Sequence, residues 1–281
     1  MDKIVKKRNI KNKRGNSRSD FAIRNNILLK SKRSQLTIFI IIALVIVAIL
    51  LILFYPRIKV LVTGTAPTDY IEQCVKEATE EALGKISVQG GSLEPENYIL
   101  YQNNKVEYAC YTNEYYKRCT MQKPFLKQDI EKEINDYVKP RAENCIENLK
   151  QQLEKQGSEV ALQDVRVETS IIPNAIIVTV NAPMTIVKSS TSTFNKFKVN
   201  IKSEMYELIM LSSSIANYEA RYGNSDSLTY MLYYPDIKVE KKVQDEGSKI
   251  YILTYKPSGE KFIFASRSIA WPPGYVGERE K

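Results

Sequence analysis

Residues 36–55 read LTIFIIIALVIVAILLILFY, twenty positions without a charge. A helix of that length rises about 1.5 Å per residue and covers about 30 Å, the thickness of a bilayer's hydrocarbon core. From Ile38 to Phe54 every residue except Ala43 and Ala48 is Ile, Leu, Val or Phe. At about −0.3 to −0.6 kcal/mol apiece, transfer into lipid is favourable by roughly 5 to 9 kcal/mol. The stretch predicts one transmembrane helix, which with its flanks occupies 34–56. A cleaved secretory signal is the competing reading, since Gly64, Thr65 and Ala66 are small. The apolar run is longer than an ordinary signal core, however, and Pro67 follows directly.

Working outward from the run, charge sets the orientation. The chain carries a net +9, but residues 1–33 hold twelve Lys and Arg against Asp2 and Asp20, a local excess of ten, so the remainder sums to −1. Only Arg57 and Lys59 follow the apolar run closely. By the positive-inside rule the basic tail 1–33 is cytoplasmic, and roughly 225 residues lie outside the cell. The basic balance is therefore a property of the tail, where it favours anionic lipid, and no nucleic acid is expected as a partner of the folded part. Ser19 to Leu29 has the pattern of a short interfacial helix with a basic polar face.

Beyond a linker at 57–67, residues 68–84 have helical periodicity, with Ile71, Cys74, Val75, Ala78, Ala82 and Leu83 on one face and Gly84 as the stop. Gly90 and Gly91 mark a turn. Alternation around Tyr98 to Gln102 and Val106 to Cys110 predicts a hairpin turning at Asn103 and Asn104. Leu126, Ile130, Ile134, Val138, Cys145, Leu149 and Leu153 predict a long helix with Pro140 as a kink or restart and Gly157 as its end. From 159 to 202 the pattern changes to strands, with turns expected at Pro173-Asn174 and Ala182-Pro183. A capped helix is expected over 203–222, then a strand meander near 236–243, 248–255 and 260–265. The class is α+β, an antiparallel sheet with packed helices, divided into a helix-rich disulfide-bearing subdomain (68–157), an antiparallel α+β subdomain (158–270) and an extended tail (271–281).

The four cysteines all follow the apolar run, in a compartment that permits disulfides. Of three possible connectivities, Cys74 with Cys145 is preferred because both lie on apolar helix faces. Cys110 with Cys119 then lie close together beside one hairpin. The first bond closes a loop worth about 4 kcal/mol in chain entropy. There is no C-x-x-C and no histidine, which removes Ser-His-Asp, Cys-His and H-E-x-x-H chemistry and leaves no metal or cofactor expected. What remains is a carboxylate or Ser-Lys hydrolase, a third-ranked reading. Glu72, Glu77, Glu80 and Glu81, like Glu131, Glu133 and Asp136, read as solvated helix faces, and Ser212, Ser213 and Ser214 as small residues in a helix contact. The balance leans away from an enzyme.

Eighteen tyrosines are the strongest remaining signal. Tyr111, Tyr115 and Tyr116, and Tyr230, Tyr233 and Tyr234, are candidates for an interaction surface, since tyrosine offers area and a hydroxyl at small entropic cost. No N-x-[ST] sequon occurs. At the membrane entry, Lys32, Arg33, Ser34, Gln35, Leu36 and Thr37 resemble the class III prepilin signals of archaea, which implies cleavage between Ser34 and Gln35. Such signals carry a Glu five positions into the mature chain, where this sequence has Phe39. Together with Tyr70-Ile71-Glu72-Gln73-Cys74, Gln89-Gly90-Gly91, Asn144-Cys145-Ile146 and Val180-Asn181-Ala182-Pro183-Met184, the segment resembles a group of archaeal single-pass membrane surface proteins without known activity. The expected function is a membrane-anchored, non-enzymatic surface protein for envelope structure, adhesion or protein contact, with the bilayer and a protein partner or a second copy as partners. A pilin-like filament subunit processed before Gln35 is the alternative.

Overall fold

In the computed structural model the described residues are 40–47 and 66–272, and they belong to two units, Met1–Thr63 and Gly64–Lys281. In the first, residues 40–47 form a helix (α1) with every side chain exposed. Among the described residues no helix is long and apolar enough to cross a membrane. The rest of the apolar run, the basic tail, Ser34 and Gln35, linker residues 57–65 and residues 273–281 lie outside the described residues.

The second unit is α+β. Helix α2 (Pro67–Ile86) buries Ile71, Val75, Ala78, Ala82 and Ile86, the i, i+4, i+7 spacing of one face. It continues through Gly84 and stops at the turn that holds Gly90 and Gly91. Helix α3 (Leu126–Lys155) runs unbroken through Pro140 and buries Leu126, Ile130, Ile134, Val138, Ala142, Ile146 and Leu149. A disulfide joins Cys74 to Cys145 across the pair, with the Cα atoms 6.6 Å apart. Further along, Lys85 Nζ donates to the Tyr137 hydroxyl at 2.9 Å. The helices are therefore antiparallel, stitched at two levels. A second disulfide links Cys110 to Cys119. Both bonds are those preferred from the sequence.

Strands β1 (Tyr98–Tyr101) and β2 (Asn104–Tyr111) form the expected hairpin. Its turn sits one residue early, on Gln102 and Asn103, whose φ angles of 47° and 66° suit a two-residue loop with left-handed central residues. Short β3 (Thr120–Met121) pairs with β2. After α3, β4 (Glu159–Leu162) and β5 (Arg166–Ile172) pair in succession with one long strand, β6 (Ala175–Val187), and β7 (Thr191–Lys202) covers its other edge. The Pro173-Asn174 turn is present, with Asn174 at φ 62°. The turn expected at Ala182-Pro183 is not. Burial alternates without interruption along β6, because Pro183 falls at the register shift between Asn181 and Met184, where a missing N–H breaks no ladder bond.

Helix α4 (Met205–Tyr222) follows, then α5 (Ser227–Tyr233), which the sequence reading lacked, and the meander β8 (Ile237–Val243), β9 (Lys249–Tyr255) and β10 (Lys261–Arg267). The meander returns to pair β10 with β2 in parallel, Ala265 opposite Tyr108 and Arg267 opposite Tyr111. The larger sheet thus has the order β1-β2-β10-β9-β8 and contains one parallel pair among antiparallel ones. Glu260 starts α4: its carboxylate accepts from Glu204 N at 2.7 Å and from the Ser203 hydroxyl, and places negative charge at the helix's positive end. Residues of 68–157 and 158–270, expected as two subdomains, contribute to one core, with Ile130 and Ile134 in the same cluster as Phe197, Leu208 and Phe264.

Gly90 fixes the close approach of the loop after α2 to β2. Its φ is +79°, and a Cβ there would lie 2.8 Å from both the N and the O of Glu107. Gly90→Ala is expected to cost about 2–4 kcal/mol through backbone strain and overpacking. Urea unfolding of the two chains measures this, and a loss below about 0.5 kcal/mol would contradict the packing described.

Candidate functional site

Helix α4 carries a carboxylate where its buried stripe continues. Ser212, Ile215, Ala216 and Glu219 repeat at helical spacing, and Glu219 is completely buried. Its charge is matched in place. Lys249 Nζ on β9 donates to Oε2 at 2.7 Å, Ser225 N to Oε1 at 2.8 Å and the Tyr251 hydroxyl to Oε1. Ser268 Oγ donates to the Glu219 carbonyl at 2.9 Å. Lys249 also reaches the carbonyls of Gly223 and Ser268. Burial holds the lysine ammonium below its usual range in spite of Glu219, and pushes the Tyr251 phenol far above its own, so Tyr251 acts as a neutral donor. Each donor aimed at the Glu219 carboxylate is thus in place, while the buried Ser225 hydroxyl has no hydrogen-bond partner among the described residues. The cluster is sealed from solvent and works as an internal tie rather than as a reaction centre.

The tie governs what lies above it. Ser225, bonded to Glu219, directly precedes Asp226, the N-cap of α5. One Asp226 oxygen accepts from Leu228 N at 3.0 Å and the other from Thr229 Oγ1 at 2.6 Å, and these bonds hold its carboxyl below the ordinary range. Helix α5 buries no residue. Leu228, Leu232 and Tyr233 are 72%, 79% and 75% exposed, an apolar surface unusual for a seven-residue helix. Between α5 and the end of α4 lies a cleft of about 480 Å³ lined by Tyr218, Asp226, Thr229, Tyr230, Tyr233 and Tyr234. The Tyr230 hydroxyl meets Ser214 Oγ at 3.3 Å, and the Tyr218 ring packs 4.5 Å from that of Tyr222. On the other side of Tyr233 and Tyr234, a smaller cleft of about 290 Å³ is bordered by Glu204, Glu207 and Asp236.

Of the six tyrosines singled out in the sequence, Tyr230, Tyr233 and Tyr234 thus meet at one cleft. Tyr218, Asp226 and Thr229 complete it and were not singled out. A signal for Asp226 and Thr229 was present: Asp226 directly ahead of SLTYMLY (227–233) is a helix start. The other three lie apart from this cleft. Tyr111 is half-buried and packs on Tyr108, with ring centroids 4.7 Å apart. Tyr115 bridges to Ala270 and lies under the Arg267 guanidinium, and Tyr116 stands edge-on to Trp271 with ring centroids 4.9 Å apart.

Most of the remaining candidates are internally bonded. Ser212 and Ser213 donate to the carbonyls of Leu208 and Ile209, one turn back. Glu131 accepts from Ile171 N at 2.7 Å and Glu133 from Leu93 N at 3.1 Å, so both tie α3 to neighbouring backbone. Glu80 and Glu81 pair with Lys76 and Lys85 at the surface. Among the described residues no cluster of Cys, Asp or Glu is placed to hold a metal ion.

Fold and site together define a disulfide-bonded α+β domain that carries an exposed aromatic cleft over a buried ion pair. Residues 139–215 are similar to the family described as Parvovirus non-structural protein NS1. That stretch takes in the later part of α3, β4 to β7 and the first part of α4, and ends before Tyr218. No curated protein and no solved structure matches the chain.

Removing one partner of the buried pair strands the other charge. Lys249→Met is expected to cost about 3–5 kcal/mol, whereas Glu219→Leu combined with Lys249→Met recovers a large part of that loss. Denaturant midpoints of the wild type, the two single variants and the double variant measure the coupling. Additive losses would contradict it.

Proposed function

We propose that the chain is a membrane-anchored, non-enzymatic surface protein whose folded domain lies outside the cell and makes protein contacts in the envelope or in adhesion. The observation that carries this reading is the concentration of exposed apolar and aromatic side chains on α5 and the end of α4. Leu228, Leu232 and Tyr233 stand exposed on one seven-residue helix, whose Tyr230 and Tyr233 line a tyrosine-rich cleft, instead of being scattered singly. The uncharged run at 36–55 supports the anchor, and the excess of cations at 1–33 supports a cytoplasmic tail. Two disulfides fit an oxidising exterior. Most of the carboxylates and serines weighed for catalysis have structural partners, which favours contact over chemistry.

A second reading rests on Lys32-Arg33-Ser34-Gln35 before the apolar run: cleavage before Gln35 releases the apolar helix to pack in a pilin-like filament. One experiment separates the readings. Intact cells are treated with a membrane-impermeant amine reagent, and the recovered chain is mapped for labels and for its N-terminus. The anchored reading predicts labels on exposed Lys238 and Lys242, an unlabelled tail and a chain that still carries residues 1–34. A chain that begins at Gln35 selects the filament. Labels on Lys238 and Lys242 only after permeabilisation would overturn both.

A further inference from the structure

The cleft between α4 and α5 has a lining chemistry that selects a ligand. Four of its six lining residues are tyrosines, one is an aspartate, and none is Lys or Arg. Phenol rings present a negative face to a cation, an attraction that strengthens where water is displaced. Each Asp226 oxygen already accepts one hydrogen bond, from Leu228 N or Thr229 Oγ1. An ionised carboxylate oxygen accepts two, so the group keeps capacity and charge for a cation nearby.

The neighbourhood reinforces the sign. Glu204, Glu207 and Asp236 border the smaller cleft beyond Tyr233 and Tyr234. Of the basic side chains nearby, Lys241 on β8, whose charge acts on Asp226, is turned to Asn224 Oδ1 at 2.9 Å and the Ser225 carbonyl at 2.7 Å, and Lys256 is turned to the Pro235 carbonyl; neither lines the cleft. A primary ammonium entering an aromatic cleft must replace its hydration with several acceptors, and here Asp226 is the single anionic one. An ammonium whose hydrogens are replaced by methyl groups needs none, and it covers the rings with apolar surface.

We propose that this cleft is a binding site for an N-alkylated ammonium group, held on the faces of Tyr218, Tyr230, Tyr233 and Tyr234 with its charge balanced by Asp226. The proposal deepens the surface-contact reading and rests on it for the cleft being open to solutes outside the cell. It names the chemistry that a ligand must present there.

The test uses the full chain in a maltoside detergent, which has no ammonium head of its own to compete. Binding of choline is followed by saturation transfer to its N-methyl protons. It is compared with 3,3-dimethylbutan-1-ol, the neutral carbon isostere with nine equivalent methyl protons, and with ethanolamine. Choline is expected to bind about fivefold or more tightly than the isostere and than ethanolamine. Tyr233→Leu, at an exposed position, and Asp226→Asn, which keeps an oxygen for the cap, are each expected to weaken choline binding several-fold and leave the thermal midpoint nearly unchanged. Equal binding of choline and its isostere would make the cleft an apolar groove and overturn the proposal. So would ethanolamine bound as tightly as choline, or choline binding untouched by both variants. Those results leave the surface-labelling outcome as it is, so the two readings fail separately.

Discussion

The ion pair between Glu219 and Lys249 is the constraint around which this domain is arranged. A carboxylate with no solvent exposure is tolerable only if its charge and its lone pairs are met on the spot. Here Lys249 and Tyr251 come from β9, Ser266 from β10 and Ser225 from the loop after α4. One side chain therefore fixes the exit of α4 against two strands of the larger sheet and against the segment that begins α5. Such a cluster adds little net stability over an apolar equivalent. What it supplies is a single permitted arrangement of the parts that meet there.

Other ties secure the rest of the frame. The Glu260 carboxylate accepts from the backbone at the start of α4, so that helix is held by acidic side chains at both ends, one from the β9–β10 turn and one of its own. The Cys74–Cys145 bond and the antiparallel packing of α2 on α3 hold two helices that line one side of the aliphatic core with Ile71, Val75, Ile130, Ile134 and Ile146 among others. With the scaffold fixed in this way, α5 can sit on the surface with none of its own residues buried. That is an expensive way to use Leu228, Leu232 and Tyr233 unless something covers them.

Much of this was legible in the sequence where a pattern is local. The 3.6-residue spacing located α2, α3 and α4, strand patterning located the meander near 236–243, 248–255 and 260–265, and the apolar helix faces of Cys74 and Cys145 pointed to the disulfide. Non-local pairings left no such trace. The parallel match of β10 with β2 joins segments separated by α3, α4 and the smaller sheet, and no periodicity encodes it. Pro183 misled because proline usually ends a strand, whereas here a bulge in β6 accommodates it. Glu219 was half legible: its position extends the buried stripe of α4, but a charged residue there reads as surface until its lysine is found on β9. For the cleft, the tyrosines were visible as a cluster and Asp226 only as a helix start, because its place in the cleft depends on a seven-residue helix too short to show a periodic face.

The central claim is that the buried carboxylate holds the exposed cleft in shape. Hydrogen exchange of Glu219→Gln against the wild type tests it most directly. The account predicts that amides of Ser225 to Tyr233 exchange about tenfold or more faster in the variant, while β5 to β7 keep their protection as an internal reference. Unchanged exchange across α5, with Lys249 left beside a neutral partner, would contradict it.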